Sequence, residues 1–267
     1  MTSSPRLRRG PALAVCAALV AALLAVAALV PLPYAVAQPG ITTDVLGEDR
    51  GRPVITVTDA DGGDGRTSEG ELLMTTIAAT GPDDPVRLPA VVRGWFSGQR
   101  AVMPLDAVYP VGGNVDEIRR HNTAEMRRSQ DSAVQAALRR LELSPDEVEV
   151  RLRLEDVGGP SAGLMFTLGV IDKLEGDGSG GDLTGGRTVA GTGTIKADGT
   201  VGPVGGVPLK TQAARRDGAT VFLVPEAECA DAGAQLHEGL RLVPVTTLGG
   251  ALDALAALRD GGPVPTC

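Results

Sequence analysis

Ser161 is the residue whose setting first suggests chemistry. It ends the run Gly158-Gly159-Pro160-Ser161. An alternating segment, Val148 to Leu154 (VEVRLRL), precedes the run and predicts a half-buried strand with Val148, Val150, Leu152 and Leu154 on one face. An apolar stretch, Leu164 to Leu174, follows and predicts a buried helix. Glycines let the backbone turn sharply and let a substrate come close. A helix start offers free N–H groups that suit a developing oxyanion, here in the stretch Gly159, Pro160, Ser161 and Ala162. Taken alone, the position fits a helix N-cap better than a nucleophile. It is not the G-x-S-x-G elbow of many hydrolases.

A nucleophilic serine needs a base. The two histidines lie in an Arg-rich segment (His121) and a polar loop (His237), and neither setting suggests a triad. Lysines occur only at 173, 196 and 210. Lys210 follows Gly205-Gly206-Val207-Pro208-Leu209, an apolar approach to a predicted helix. Burial there would favour the neutral amine that a lysine base requires, although an exposed helix lysine is the plainer reading of Lys210 by itself. No HExxH occurs and Cys and His are few and scattered, so neither a metal site nor a cofactor is expected.

In combination these residues form a known pattern. GGPSAG at 158–163, TGTI at 192–195, DGTVGPVGG at 198–206 and Lys210 occur in this order. The sequence resembles the proteolytic domain of the Lon family of serine peptidases. It looks most like the membrane-anchored, ATP-independent Lon-like proteins of bacteria, which usually carry a PDZ domain. The resemblance implies Ser161 as nucleophile, Lys210 as its base and Thr192 as a hydroxyl supporting the lysine. It implies protein or peptide substrates and, by family expectation, a homo-oligomer in the form of a hexameric ring. It extends upstream more weakly, through Trp95 and a helix carrying Asn122, Met126, Ser129, Gln130 and Ala133.

There are departures from the pattern. Only about ten residues, 142–151, join that helix to the GGPSAG strand, too few for a PDZ domain. ATP-dependent members place an acidic residue three before the serine, where this chain has Gly158, with Asp156 nearby but out of register. No G-x-x-x-x-G-K-[ST] phosphate loop occurs, so ATP-driven unfolding by this chain is not supported. A non-catalytic envelope protein that binds partners through the same fold is the competing reading, and a Ser-Lys hydrolase of a non-peptide acyl substrate is a third.

The positioning elements read as follows. Residues 38–110 predict short β segments, among them Val54 to Thr58 and Glu71 to Ala79 as its returning partner, with Val91-Val92 and Ala101 to Met103 as weaker strands. Residues 115–142 lack Gly and Pro and predict an amphipathic helix whose arginines face solvent. Asp198-Gly199 marks a hairpin. Strands alternating with helices then continue through Ala219 to Val224, Leu240 to Val245 and Leu248 to Leu258. The expected class is α/β (α+β), the Lon proteolytic-domain fold, preceded by a β-rich membrane-proximal segment with one amphipathic helix and by an N-terminal transmembrane helix. The expected division is 1–37, 38–142 and 143–267.

Arg6, Arg8 and Arg9 precede an uncharged apolar run in which Ala12 to Val30 spans 19 residues. That is close to the length of a bilayer span, and the arginines orient the remainder outside the cytoplasm. Ala35-Val36-Ala37 also fits signal peptidase cleavage before Gln38, giving a secreted form. Either way Cys229 and Cys267 lie in an oxidising compartment and are candidates for a disulfide. The net charge of −8 argues against nucleic acid as a partner. With 2% aromatics, the core must be built from Val, Leu, Ile and Ala.

Overall fold

The computed structural model describes residues 9–59, 65–110, 114–154, 157–234 and 238–267. In chain order it begins with α1 (Arg9–Leu29), β1 (Pro31–Leu32), β2 (Tyr34–Asp44), β3 (Glu48–Asp49), β4 (Arg52–Pro53), β5 (Ile55–Asp59) and β6 (Glu71–Ala79). Next come β7 (Val86–Arg87), α2 (Leu88–Trp95), β8 (Ala101–Pro104), α3 (Leu105–Val108), α4 (Val115–Arg140), β9 (Val148–Leu152) and α5 (Gly163–Leu174). The chain ends with β10 (Thr188–Gly191), β11 (Thr194–Ile195), β12 (Val201–Gly202), α6 (Val207–Arg216), β13 (Val221–Pro225), α7 (Cys229–Gly233), β14 (Arg241–Val245) and α8 (Leu248–Arg259). Two compact units result: residues 1–37 with 79–110, and residues 38–78 with 111–267. This grouping differs from the expected division, because residues 38–78 and 111–142 belong with the C-terminal part rather than to a segment of their own.

The larger unit is an α/β layer structure. Its sheet has the order β14-β13-β10-β6-β2, and β6, β10, β13 and β14 are parallel. Strand residues alternate between two cores, as the period of two requires. Leu72, Met74, Val189, Val221, Leu223, Val243 and Val245 face one core, which α4, α5 and α8 also line. Leu73, Ala190, Phe222, Val224 and Leu242 face the other, with Val207 and Ala214 of α6 and Ala232 of α7. Burial on both faces explains why ATVFLV reads as a continuous apolar run. A disulfide joins Cys229 to Cys267.

Two local expectations are corrected. β5 does not return to β6; it pairs antiparallel with β9, Val57 opposite Val150. Val91-Val92 lies in α2 and not in a strand. Pro89 sits in the first turn of that helix, where its fixed φ is suitable and no N–H is needed.

The smaller unit holds α1, β1, the first residues of β2, β7, α2, β8 and α3. β1 pairs antiparallel with β7, and Tyr34 to Ala37 pair antiparallel with β8. Gly10–Leu29 of α1 is long and apolar enough to cross a membrane, and its apolar window has no buried residue.

Candidate active site

Ser161 lies in the turn between β9 and α5. The N-cap of α5 is Ala162, so Ser161 does not cap the helix, and no side chain does. That removes the cap as an account of the serine. The turn is held from behind by α4. The Gly159 N–H donates to the Asn122 carbonyl at 3.2 Å, and Ser129 Oγ donates to the Pro160 carbonyl at 3.0 Å. The two anchors are seven residues apart, two helical turns, and therefore share one face of α4.

The glycines of the motif have distinct uses. Gly159 has φ +89, in the left-handed region that favours glycine. A Cβ on Gly158 would sit 2.7 Å from Asn122 Cβ, so Asn122 occupies the space an acidic side chain would need there. Asp156 lies outside the described residues.

Lys210 is in the first half of α6. Gly206, with φ +72, is the N-cap of that helix, and Pro208 is in its first turn. The side chain turns into the protein and is 3% exposed. Its Nζ donates to Thr192 Oγ1 at 3.1 Å. Thr192 follows directly on β10, is fully buried, and donates from the same hydroxyl to the Ser161 carbonyl at 3.1 Å. A second bond, from the Gly193 N–H at 2.9 Å, holds the same carbonyl. Ser161, Thr192 and Lys210 are therefore brought together through one threonine hydroxyl. Ser161 Oγ and Lys210 Nζ share no hydrogen bond among the described residues. Such bonds often form only once substrate is bound.

Burial pushes the Lys210 ammonium down from 10.5 to about 8, and the Glu228 carboxylate opposes this. Near neutral pH a usable fraction of the amine is then unprotonated. Burial pushes Glu228 itself upwards; the Val204 N–H bonds to its carboxylate and works against the rise, and Asp231 adds to it. One Glu228 oxygen, Oε2, is buried with no hydrogen-bond partner. Sequence reasoning missed Glu228. The available signal was its position just after a predicted strand, at the end of the sheet where Thr192 lies.

The expected oxyanion donors need correction at two positions. Pro160 has no N–H, and the Gly159 N–H is already bonded to Asn122. The Ser161 and Ala162 N–H groups have no partner among the described residues and are left as candidate donors. His121 is exposed on α4, and His237 lies outside the described residues. Among the described residues no group of three His, Cys, Asp or Glu could hold a metal ion.

Thr192 follows the carboxyl end of β10 and Glu228 that of β13, the side of a parallel sheet on which open α/β folds place their ligands. A cleft of about 750 Å³ lies at the other end, lined by Arg187, Thr220, Gly239 and Arg241 among others, and none of the site residues reaches it.

Comparison with known proteins bears on the same stretch of chain. Residues 152–257 match the Lon protease (S16) C-terminal proteolytic domain. Lon protease 2 of Bacillus subtilis (strain 168) is 27% identical over 148 residues, which cover 54% of this chain and 25% of that protein. The matched part is thus about a quarter of the length of that relative.

Proposed function

We propose that the chain, whose residues 152–257 match the Lon protease (S16) C-terminal proteolytic domain, is an ATP-independent serine endopeptidase with a Ser161–Lys210 dyad, acting on unfolded or flexible proteins outside the cytoplasmic membrane. The observation that carries the reading is the buried chain of contacts from Lys210 through Thr192 to Ser161.

Neutral Lys210 takes the proton from Ser161 Oγ as that oxygen attacks the peptide carbonyl carbon. The C–O bond forms, and negative charge develops on the former carbonyl oxygen, facing the Ser161 and Ala162 N–H groups. Lys210 returns the proton to the leaving nitrogen as the C–N bond breaks, which gives an acyl-serine and a free amine. Water, deprotonated by the same lysine, then attacks the acyl carbon, and the lysine returns the proton to Ser161 Oγ as the bond from Oγ to the acyl carbon breaks, which releases the carboxylic acid and restores both residues. Thr192 holds the amine in register throughout, accepting from it in either charge state.

ATP independence rests on the lack of a phosphate loop in this sequence. The extracytoplasmic location rests on α1 as a retained span with Arg6, Arg8 and Arg9 on the cytoplasmic side. Retention is favoured over cleavage because Ala35 and Ala37 are fully buried and pair with Met103 and Ala101, so a cut after Ala37 would sever β2. The Cys229–Cys267 disulfide suits an oxidising compartment.

The test is hydrolysis of casein by the full chain in detergent, without nucleotide, against Ser161→Ala and Lys210→Met. Cleavage by the wild type and loss in both variants supports the dyad. Equal background in three folded proteins would overturn it in favour of a non-catalytic binding role.

A further inference from the structure

We propose that Val92, Trp95 and Phe96 form a foot that docks in the headgroup layer of the lipid bilayer, beside the point where α1 leaves it. The inference rests on the reading of α1 as a membrane span. α2 has two apolar sides. One is accounted for: Val91 is 1% exposed, and a Cβ on Gly94 would lie 2.6 Å from the Val102 side chain. The other is not. Val92, Trp95 and Phe96 are 38%, 66% and 88% exposed. Their spacing of three and four residues makes them one stripe.

The occupant follows from what lies next to that stripe. α1 ends at Leu29, and two residues later β1 pairs with β7, Pro31 opposite Arg87. Arg87 Nε donates to the Leu29 carbonyl at 3.1 Å. α2 starts at the next residue, Leu88. The stripe thus belongs to a helix that starts where the apolar span ends, and membrane depth at that point is interfacial. Tryptophan is enriched at that depth because its ring is apolar and its N–H is not. Arg87 and Arg93, both exposed, can meet lipid phosphates. Three side chains are too few for a stable protein interface by themselves.

Trp95 is the chain's single tryptophan, so fluorescence excited at the red edge of indole absorption, where the two tyrosines absorb little, reports on the foot alone. The full chain is reconstituted in phosphatidylcholine vesicles. Flotation reports on α1, and quenching of Trp95 reports on the foot. The expected result is co-flotation, a blue-shifted emission, and stronger quenching by lipids with a nitroxide near the headgroup than near the chain end. Aqueous iodide quenching should fall at least about twofold relative to a water-exposed indole, as for an interfacial aromatic. A floating chain with a water-like, iodide-accessible Trp95 would overturn the foot and leave the anchor standing. A floating chain shielded from iodide but unquenched by either lipid would overturn the foot and assign the stripe to a second copy. A chain that does not float would overturn the anchor, and the foot with it.

Discussion

The two ends of the parallel sheet differ in a way that separates chemistry from space. At the amino ends of β13 and β14 lies a cleft of about 750 Å³ with Arg187 and Arg241 on its wall. Beyond the carboxyl ends of β10 and β13, Lys210, Thr192 and one oxygen of Glu228 are buried. Burying an amine and a carboxylate has a free-energy cost, and a chain that only needed to fold would replace them with apolar groups. The volume at the amino end involves no such cost. Perturbed, buried titratable groups are therefore the better guide to the site than cavity size.

The strongest way to break this contrast is at the carboxyl end. Ser161→Ala should lower peptide hydrolysis by at least about 10³-fold, as loss of a nucleophile does elsewhere. Lys210→Met should match it, because the variant keeps the bulk and removes the amine that takes the proton. Lys210→Arg should be equally inactive, since a guanidinium does not lose its proton near neutral pH. Rates from purified, folded variants on one peptide substrate check all three.

Thr192→Val should come next. It keeps the shape of the side chain but removes both the acceptor for Lys210 Nζ and the donor to the Ser161 carbonyl. About one to three kcal/mol of lost hydrogen bonding corresponds to about 5- to 150-fold in kcat/KM. Thr192→Ser should recover most of that rate, which a merely space-filling role would not predict.

How far the sequence discloses this site depends on the range of each contact. Ser161, Thr192 and Lys210 are legible only as a set, through the resemblance that GGPSAG, TGTI, DGTVGPVGG and the lysine carry in order; taken singly, Ser161 reads as a helix cap and Lys210 as an exposed lysine. By contrast α4, α5 and the hairpin at Gly199, whose φ is +84, are legible from local pattern alone. Contacts between distant segments are not legible. Nothing near Asn122 says that its carbonyl takes the Gly159 N–H, so Gly159 is misread as an oxyanion donor. β5 finds β9 and not the nearer β6, because alternation specifies a face but not a partner. Val91-Val92 has β-branched residues, yet Pro89 and the close approach of Gly94 to Val102 make it helix. Pro160 is a different case, since its missing N–H is plain from the sequence alone.

Glu228 sharpens the contrast more subtly, through pH. Its carboxylate raises the pKa of Lys210 against the larger lowering by burial. A base must be unprotonated, so kcat/KM should rise with pH through about 8 in the wild type. Glu228→Gln removes the opposing charge and should move that rise to lower pH. At pH 7 the variant should then be the faster enzyme by a few-fold, since a tenfold stronger acid has up to about tenfold more of its neutral amine at a fixed pH. An unchanged pH profile with reduced activity would make Glu228 a structural residue only.

The smallest effect is expected at the other end of the sheet. Arg241 is exposed at the start of β14 and lines the cleft of about 750 Å³. Arg241→Ala removes charge and surface there while leaving the Val221 to Val245 pairing of β13 and β14 in place, because that ladder is made by backbone groups. Casein and short-peptide hydrolysis should both stay within about twofold of wild type, as exposed substitutions away from packed features usually do. The comparison of two substrates matters. A loss on casein with short peptides unaffected would mean that the cleft holds a remote part of long substrates, and the division between a chemical end and an idle end would fail. A loss on both would place Arg241 in the chemistry itself, which a parallel sheet with its reactive groups at the carboxyl ends does not allow.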